Sequence, residues 1–277
     1  QGNVNIYDAV SWTSGSTLTL TASKDVNITK AVTGNGAGAA LVINSNTANG
    51  EGNLASGSGR LNASGVLGGT MSFILNGSGT GGSYLSAANT YTGDTTITGG
   101  TLYVGNGSTG SITSGTVINA GSLRFYRNSD LAYAGNISGT GSVTQYGSGK
   151  LTLSGSNTYT GTTWVRAGTL ALGGGNAIGD TSAVSISAGA SLNVLDSETI
   201  GSLSGSAANA TTGASAVVIS SGATLSTGGA NASSTFAGVI SGEGNLTKTG
   251  TGGLALTGDN TYTGETAITG GTLYVGN

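Results

Sequence analysis

The chain has 277 residues, 54 of them glycine and none of them proline, cysteine or histidine, and only 7% are charged. The lack of His and Cys removes serine–histidine triads, HExxH zinc sites, thiol nucleophiles and thiolate metal sites. A net charge of −3 with scattered Lys and Arg leaves no basic stripe for nucleic acid, and no apolar run reaches the ~18 residues of a membrane span.

Apolar residues make up 36% of the chain, too many for a disordered one, and they fall in short alternating runs. In chain order these are Leu18-Thr-Leu20, Val26-Asn-Ile28, Leu151-Thr-Leu153, Val184-Ser-Ile186, Leu192-Asn-Val194 and Leu254-Ala-Leu256. Period-two alternation marks strands with one buried face, and the Gly, Asn and Ser that bound each run are turn formers. No stretch keeps a helical period.

From Asn89 onward a repeat organises the chain. The segment NTYTG begins at Asn89, Asn157 and Asn260, and each copy is followed by Gly-Thr-Leu, at Gly100, Gly168 and Gly271. Residues 89–106 and 260–277 differ at two positions. The second and third copies also share an upstream half, starting at Ile137 and Ile240. Such spacing suits solenoid turns of ~20–25 residues better than propeller blades, whose number is fixed by closure. The expected fold is an all-β, right-handed parallel β-helix forming an elongated rod. Leu102 and Val104 should face inward with Tyr103 outward, and Leu273 and Val275 inward with Tyr274 outward. Absence of proline fits a backbone that is almost wholly paired, and glycine fits corners that need positive φ.

On these residues the chain resembles a known family. Gly147–Leu172 (GSGKLTLSGSNTYTGTTWVRAGTLAL) and Gly250–Val275 resemble the passenger-associated repeat of bacterial autotransporters, and Asn89–Val104 keeps the downstream half. Val10–Gly36 is similar to the filamentous-haemagglutinin-like exoproteins of two-partner secretion. The resemblance implies a single β-helix segment over 1–277, part of a longer passenger, with haemagglutinin-like turns in 1–80 and passenger-repeat turns in 81–277. It also implies a secreted or cell-surface location outside the outer membrane, and a non-catalytic segment of an adhesin. Its implied partners are an outer-membrane translocator during export and then a host-cell receptor, a glycan or other copies of the rod. No cofactor, nucleic acid or membrane insertion is implied.

The remaining chemistry is sparse. Asp196 and Glu198, two apart, would share a strand face ~6–7 Å apart, as in an inverting glycosidase, but VLDSET reads more simply as a solvated loop. A β-helical polysaccharide-degrading enzyme is thus one alternative. An ice-binding protein is the other, suggested by Thr17, Thr19 and Thr21. The glycine-rich run 173–180 lacks the tandem spacing of calcium nonapeptides. The Asn and Tyr of NTYTG are expected at corners, with the amide bonding backbone and the ring covering an apolar edge. Asp94 and Glu265, equivalent to Thr162, read as solvent-facing corners. The candidate contact residues are outward aromatics and cations: Trp164 with Arg166, on either side of inward Val165, and Arg124 with Tyr126, flanking inward Phe125. Trp12 is expected to pack.

Overall fold

The computed structural model describes residues 2–45, 59–77, 81–113, 115–207 and 213–276. Asn277, which ends the third repeat, and residue 80, on the expected boundary between turn types, lie outside the described residues. Two compact units divide the chain, 1–127 and 128–277. Among the described residues there is no helix, and so none long and apolar enough to cross a membrane.

Each unit is a parallel β-solenoid with three sheet faces. In the first unit, one face stacks Val4–Ile6, Val26–Ile28, Leu61–Ala63, Gly82–Leu85, Thr101–Gly107 and Ser122–Arg127. A short second face stacks Val10–Trp12, Val32–Gly34 and Leu67–Gly69. The third stacks Thr17–Ala22, Ala40–Ser45, Ser72–Gly77, Thr95–Gly99 and Thr116–Asn119. The expected turn length holds: side chains that bond between adjacent turns are separated by 22 residues at Asn5 and Asn27 and by 20 at Ile137 and Asn157.

In the second unit, the first face runs from Ser142–Gln145 through Thr163–Val165, Ala183–Ile186, Ser202–Gly205, Ser234–Phe236 and Gly253–Leu256 to Thr272–Val275. The second face carries the main aliphatic columns, Leu151–Leu170–Leu192–Val217–Ile240 and Leu153–Leu172–Val194–Ile219. All of these residues are buried. The third face stacks Glu198–Ile200, Thr224–Thr227, Asn245–Lys248 and Thr266–Ile268. Alternation in sequence becomes alternation in space, so each column is one continuous seam of core, and a buried Leu or Ile contributes about 2 kcal/mol. Leu102 and Val104 point inward as expected and Tyr103 outward. Leu273 and Val275 keep the register of Leu254 and Leu256, but no later strand among the described residues covers them, and Val275 is 72% exposed.

The repeat motif is a corner device. Asn157 Oδ1 accepts from the Ile137 backbone N–H at 2.6 Å, and its amide donates to the Ala177 carbonyl at 2.7 Å. Asn89 and Asn260 accept in the same way from Leu67 and Ile240, both at 2.9 Å. The tyrosines go further inside than a cover over an apolar edge. Tyr91 and Tyr159 are fully buried, and each hydroxyl is paired with the threonine four residues on, Thr95 at 2.7 Å and Thr163 at 2.6 Å. Burial demands a partner for the phenol, and the motif carries its own. Gly100, Gly168 and Gly271 close the motif with φ of +72°, +59° and +66°.

Candidate functional surface

Because the core takes the inward residues, surface chemistry falls to the outward ones, which the parallel register aligns in columns. On the first face of the first unit the column reads Asn5, Asn27, Asn62, Tyr84, Tyr103, Arg124. The three asparagines form an amide ladder: Asn27 donates to Asn5 and Asn62 donates to Asn27, each at 2.8 Å. The column then turns aromatic. The rings of Tyr84 and Tyr103 stack at 4.6 Å, only 8° from parallel. Arg124 donates to the Tyr103 hydroxyl at 2.7 Å, with its guanidinium 5.3 Å from that ring's centre. Tyr126 completes the patch edge-on to Tyr103, at 6.3 Å and 63°. Arg124 and Tyr126 therefore face outward on either side of buried Phe125, and they meet through Tyr103. Aromatic and cationic groups packed in this way present a firm, half-exposed surface with little rotamer entropy left to lose on contact.

In the second unit Val165 is buried, and the Arg166 guanidinium lies 4.2 Å from the centre of the Trp164 ring. Trp164 is half-buried and Arg166 exposed. Trp12 packs as expected: it donates to the Ser16 carbonyl at 2.9 Å, and its ring occupies the space a side chain at Gly34 would need.

The acidic pair separates. Asp196 is exposed in a bend and accepts from the Gly174 N–H at 2.8 Å. Glu198 opens the next strand, points inward and is 2% exposed, so it is neither part of a solvated loop nor on a face shared with Asp196. The bend between Val194 and Glu198 interrupts the alternation and leaves Asp196 outside. The Glu198 carboxylate accepts two consecutive backbone N–H groups, Ala177 and Ile178, both at 2.9 Å, and so pins the glycine-rich run 173–180. Burial, with a smaller push from Asp180, raises its pKa to about 6 against the pull of those two donors. Nearby, burial drives the Tyr159 phenol well above its ordinary value. Asp94 and Glu265 are exposed corners.

Lys248 was not singled out by the sequence, although Leu246-Thr-Lys248 alternates. It points inward, is 1% exposed, and its ammonium donates to the carbonyls of Thr249, Gly250 and Gly270. Burial lowers its pKa. Gln145, at the equivalent place after Val143-Thr, donates to the carbonyls of Gly147 and Gly149 at 2.8 and 2.7 Å. Both side chains serve a glycine-rich turn whose carbonyls point inward. The threonines of Thr17–Ala22 pair with Ala40, Val42 and Asn44, so no flat threonine column develops. Among the described residues no group of His, Cys, Asp and Glu is arranged to hold a metal.

The fold is a parallel β-solenoid whose corners are set by a repeated Asn-Tyr-Thr motif, and among the described residues no group of acidic side chains is arranged to hold a metal. Residues 75–104, 143–172 and 246–275 match the passenger-associated-transport-repeat family. A stretch of 100 residues, 36% of this chain, is 50% identical to the adhesin BmaC autotransporter of Brucella suis biovar 1 (strain 1330). The resemblance to an autotransporter passenger rests on these repeats and this stretch, and the match spans 3% of that relative's length. No solved structure matches it.

Proposed function

We propose that the chain is an adhesive segment of an exported passenger, displayed outside the outer membrane and held there by parts of the protein beyond this segment. The observation that carries the reading is the coincidence of three passenger repeats with 50% identity to a protein named as an adhesin. The outward patches of Tyr84, Tyr103, Arg124 and Tyr126, and of Trp164 and Arg166, are the contact points in this reading. They lie on flat faces, so each contact is weak and many displayed copies act together. A host-cell surface, a glycan and a second copy of the chain are all partners that such patches fit. The test is adhesion of beads coated with the 277-residue chain to epithelial cells and to each other. Coated beads should adhere or clump, and a Tyr103→Ala/Trp164→Ala chain with unchanged far-ultraviolet spectrum should do so less. Beads that behave like albumin-coated ones would overturn the reading.

Export through an outer-membrane translocator of the type V kind belongs to the same proposal. Stability in a repeat array accrues turn by turn, so folding outside the cell would bias movement through a pore. Polar substitutions at Leu254 and Leu256, both buried in the column next to Leu273, should stall export in a pulse-chase assay. Unimpaired export would count against it.

A further inference from the structure

The first face of the second unit carries one outward column that links Trp164 to Tyr274. Trp164 pairs with Ser185, and Ser185 with Ser204. The Gly205–Phe236 pair sets Ser204 beside Thr235, which pairs with Ala255, which in turn pairs with Tyr274. Five rungs at ~4.8 Å separate the two aromatics, about 24 Å. Between them every outward side chain is small, and three of the four are hydroxyls. The far end is a hollow bordered by Ser233, Thr235, Thr251, Thr272 and Tyr274, with no acidic residue in its wall. Tyr274 is 61% exposed and leans across Gly253, where an added Cβ would lie 3.2 Å from its ring.

The near end is cationic. Arg166 directly follows the strand that carries Trp164, and its guanidinium rests against the Trp164 indole, 4.2 Å from the ring centre. Among the described residues no carboxylate lies within ion-pair reach of it. A guanidinium held over an aromatic ring can still offer its planar fork of N–H donors to an outside acceptor, and that fork matches a carboxylate in two-point geometry.

We propose that this column is a binding trough for a linear, carboxylate-bearing polysaccharide laid along the stacking direction. Arg166 takes a sugar carboxylate, Trp164 and Tyr274 stack on sugar faces at the two ends, and Ser185, Ser204 and Thr235 meet the hydroxyls between. The proposal deepens the adhesive reading by naming a ligand class for one face. A column of small side chains one rung apart, three of the four of them hydroxyls, suits a polymer with a regular repeat better than a folded protein, and the Arg166 guanidinium favours an acidic one.

The test uses the whole 277-residue chain and oligogalacturonates of graded length, followed by calorimetry or affinity electrophoresis. Binding should strengthen with length up to the span of the trough and weaken with salt. Arg166→Gln should remove the preference for oligogalacturonate over neutral cello-oligosaccharides. Trp164→Ala and Tyr274→Ala should each weaken binding about tenfold, equivalent to 1.4 kcal/mol. Thermal unfolding of each variant checks that the fold is intact, and Trp164→Phe, which keeps an aromatic platform, should retain most of the affinity. No binding, or binding untouched by these substitutions, would overturn the trough. Equal binding of dextran sulfate would also overturn it, in favour of a generic polyanion effect. Oligogalacturonate binding with no bead adhesion would leave the trough standing and remove the adhesive role. Bead adhesion by a chain that binds no oligogalacturonate would do the reverse.

Discussion

Glu198 offers the sharpest test of the polar interior. Its carboxylate is 2% exposed and holds two N–H groups of the glycine-rich run, yet burial outweighs those bonds and lifts its pKa from 4.5 to about 6. The folded state therefore holds a proton at this site more tightly than the unfolded chain does. Stability from Glu198 is fully present below pH 4.5 and is lost as pH rises through about 6. The difference corresponds to about 2 kcal/mol. Urea unfolding of the second unit, followed by Trp164 fluorescence at pH 4.5 and pH 7, measures it. Glu198→Gln cannot titrate, so its stability should change less between the two pH values, by about 2 kcal/mol, whatever its baseline. Comparing the two chains cancels every other titrating group. Equal pH dependence in both would mean that Glu198 titrates alike in fold and coil, and would refute the account of a carboxylate strained by burial.

Three further outcomes follow from the same geometry. Gly168→Ala adds a Cβ 2.3 Å from the Gly149 carbonyl oxygen at a corner with φ of +59°, so it should cost about 2 kcal/mol or more in urea unfolding. Lys248→Gln should preserve stability within about 1 kcal/mol, because Gln145 serves the equivalent turn, whereas Lys248→Leu leaves turn carbonyls unpaired and should cost about 1–3 kcal/mol. Leu192→Ala, in the middle of a buried column, should cost about 2–5 kcal/mol, with hydrogen-exchange protection falling most in the flanking strands Thr169–Leu172 and Ala216–Ile219. Uniform loss across the unit would contradict nearest-neighbour coupling.

Wherever alternation ran unbroken, the sequence was legible to the side chain. Val165 and Phe125 inward, with Trp164, Arg124 and Tyr126 outward, follow from period two alone. Corners broke that legibility. Asp196 and Glu198 look like one face only if the strand continues between them, and a bend there turns Asp196 out to solvent while Glu198 keeps the inward phase of Val194. Contacts between turns were the other gap. The Tyr84–Tyr103 stack needs a register in which residues of different turns become neighbours, and variable turn lengths hide that register in a linear sequence. Lys248 was within reach, since Leu246-Thr-Lys248 and Val143-Thr-Gln145 alternate alike. Charge pointed to the surface, while the inward carbonyls of a glycine-rich turn gave the ammonium a place inside.

The division between inside and outside also limits how such a chain can bind. Inward positions hold aliphatic columns or polar pins such as Tyr159, Glu198 and Lys248, each with partners fixed by the fold, so they can change little without loss of a turn. Outward positions repeat rung by rung, so a single choice at one position becomes a column only when its neighbours in the next turns agree. The two units have made different choices on the corresponding face: amides leading to stacked tyrosines in one, hydroxyls between two aromatics in the other. A flat column cannot enclose a ligand as a deep pocket does, and its affinity per contact stays low. It can, however, lengthen with each added turn. Binding by a chain of this kind would therefore act through the sum over turns, where several weak contacts joined on one scaffold can hold what none of them holds alone.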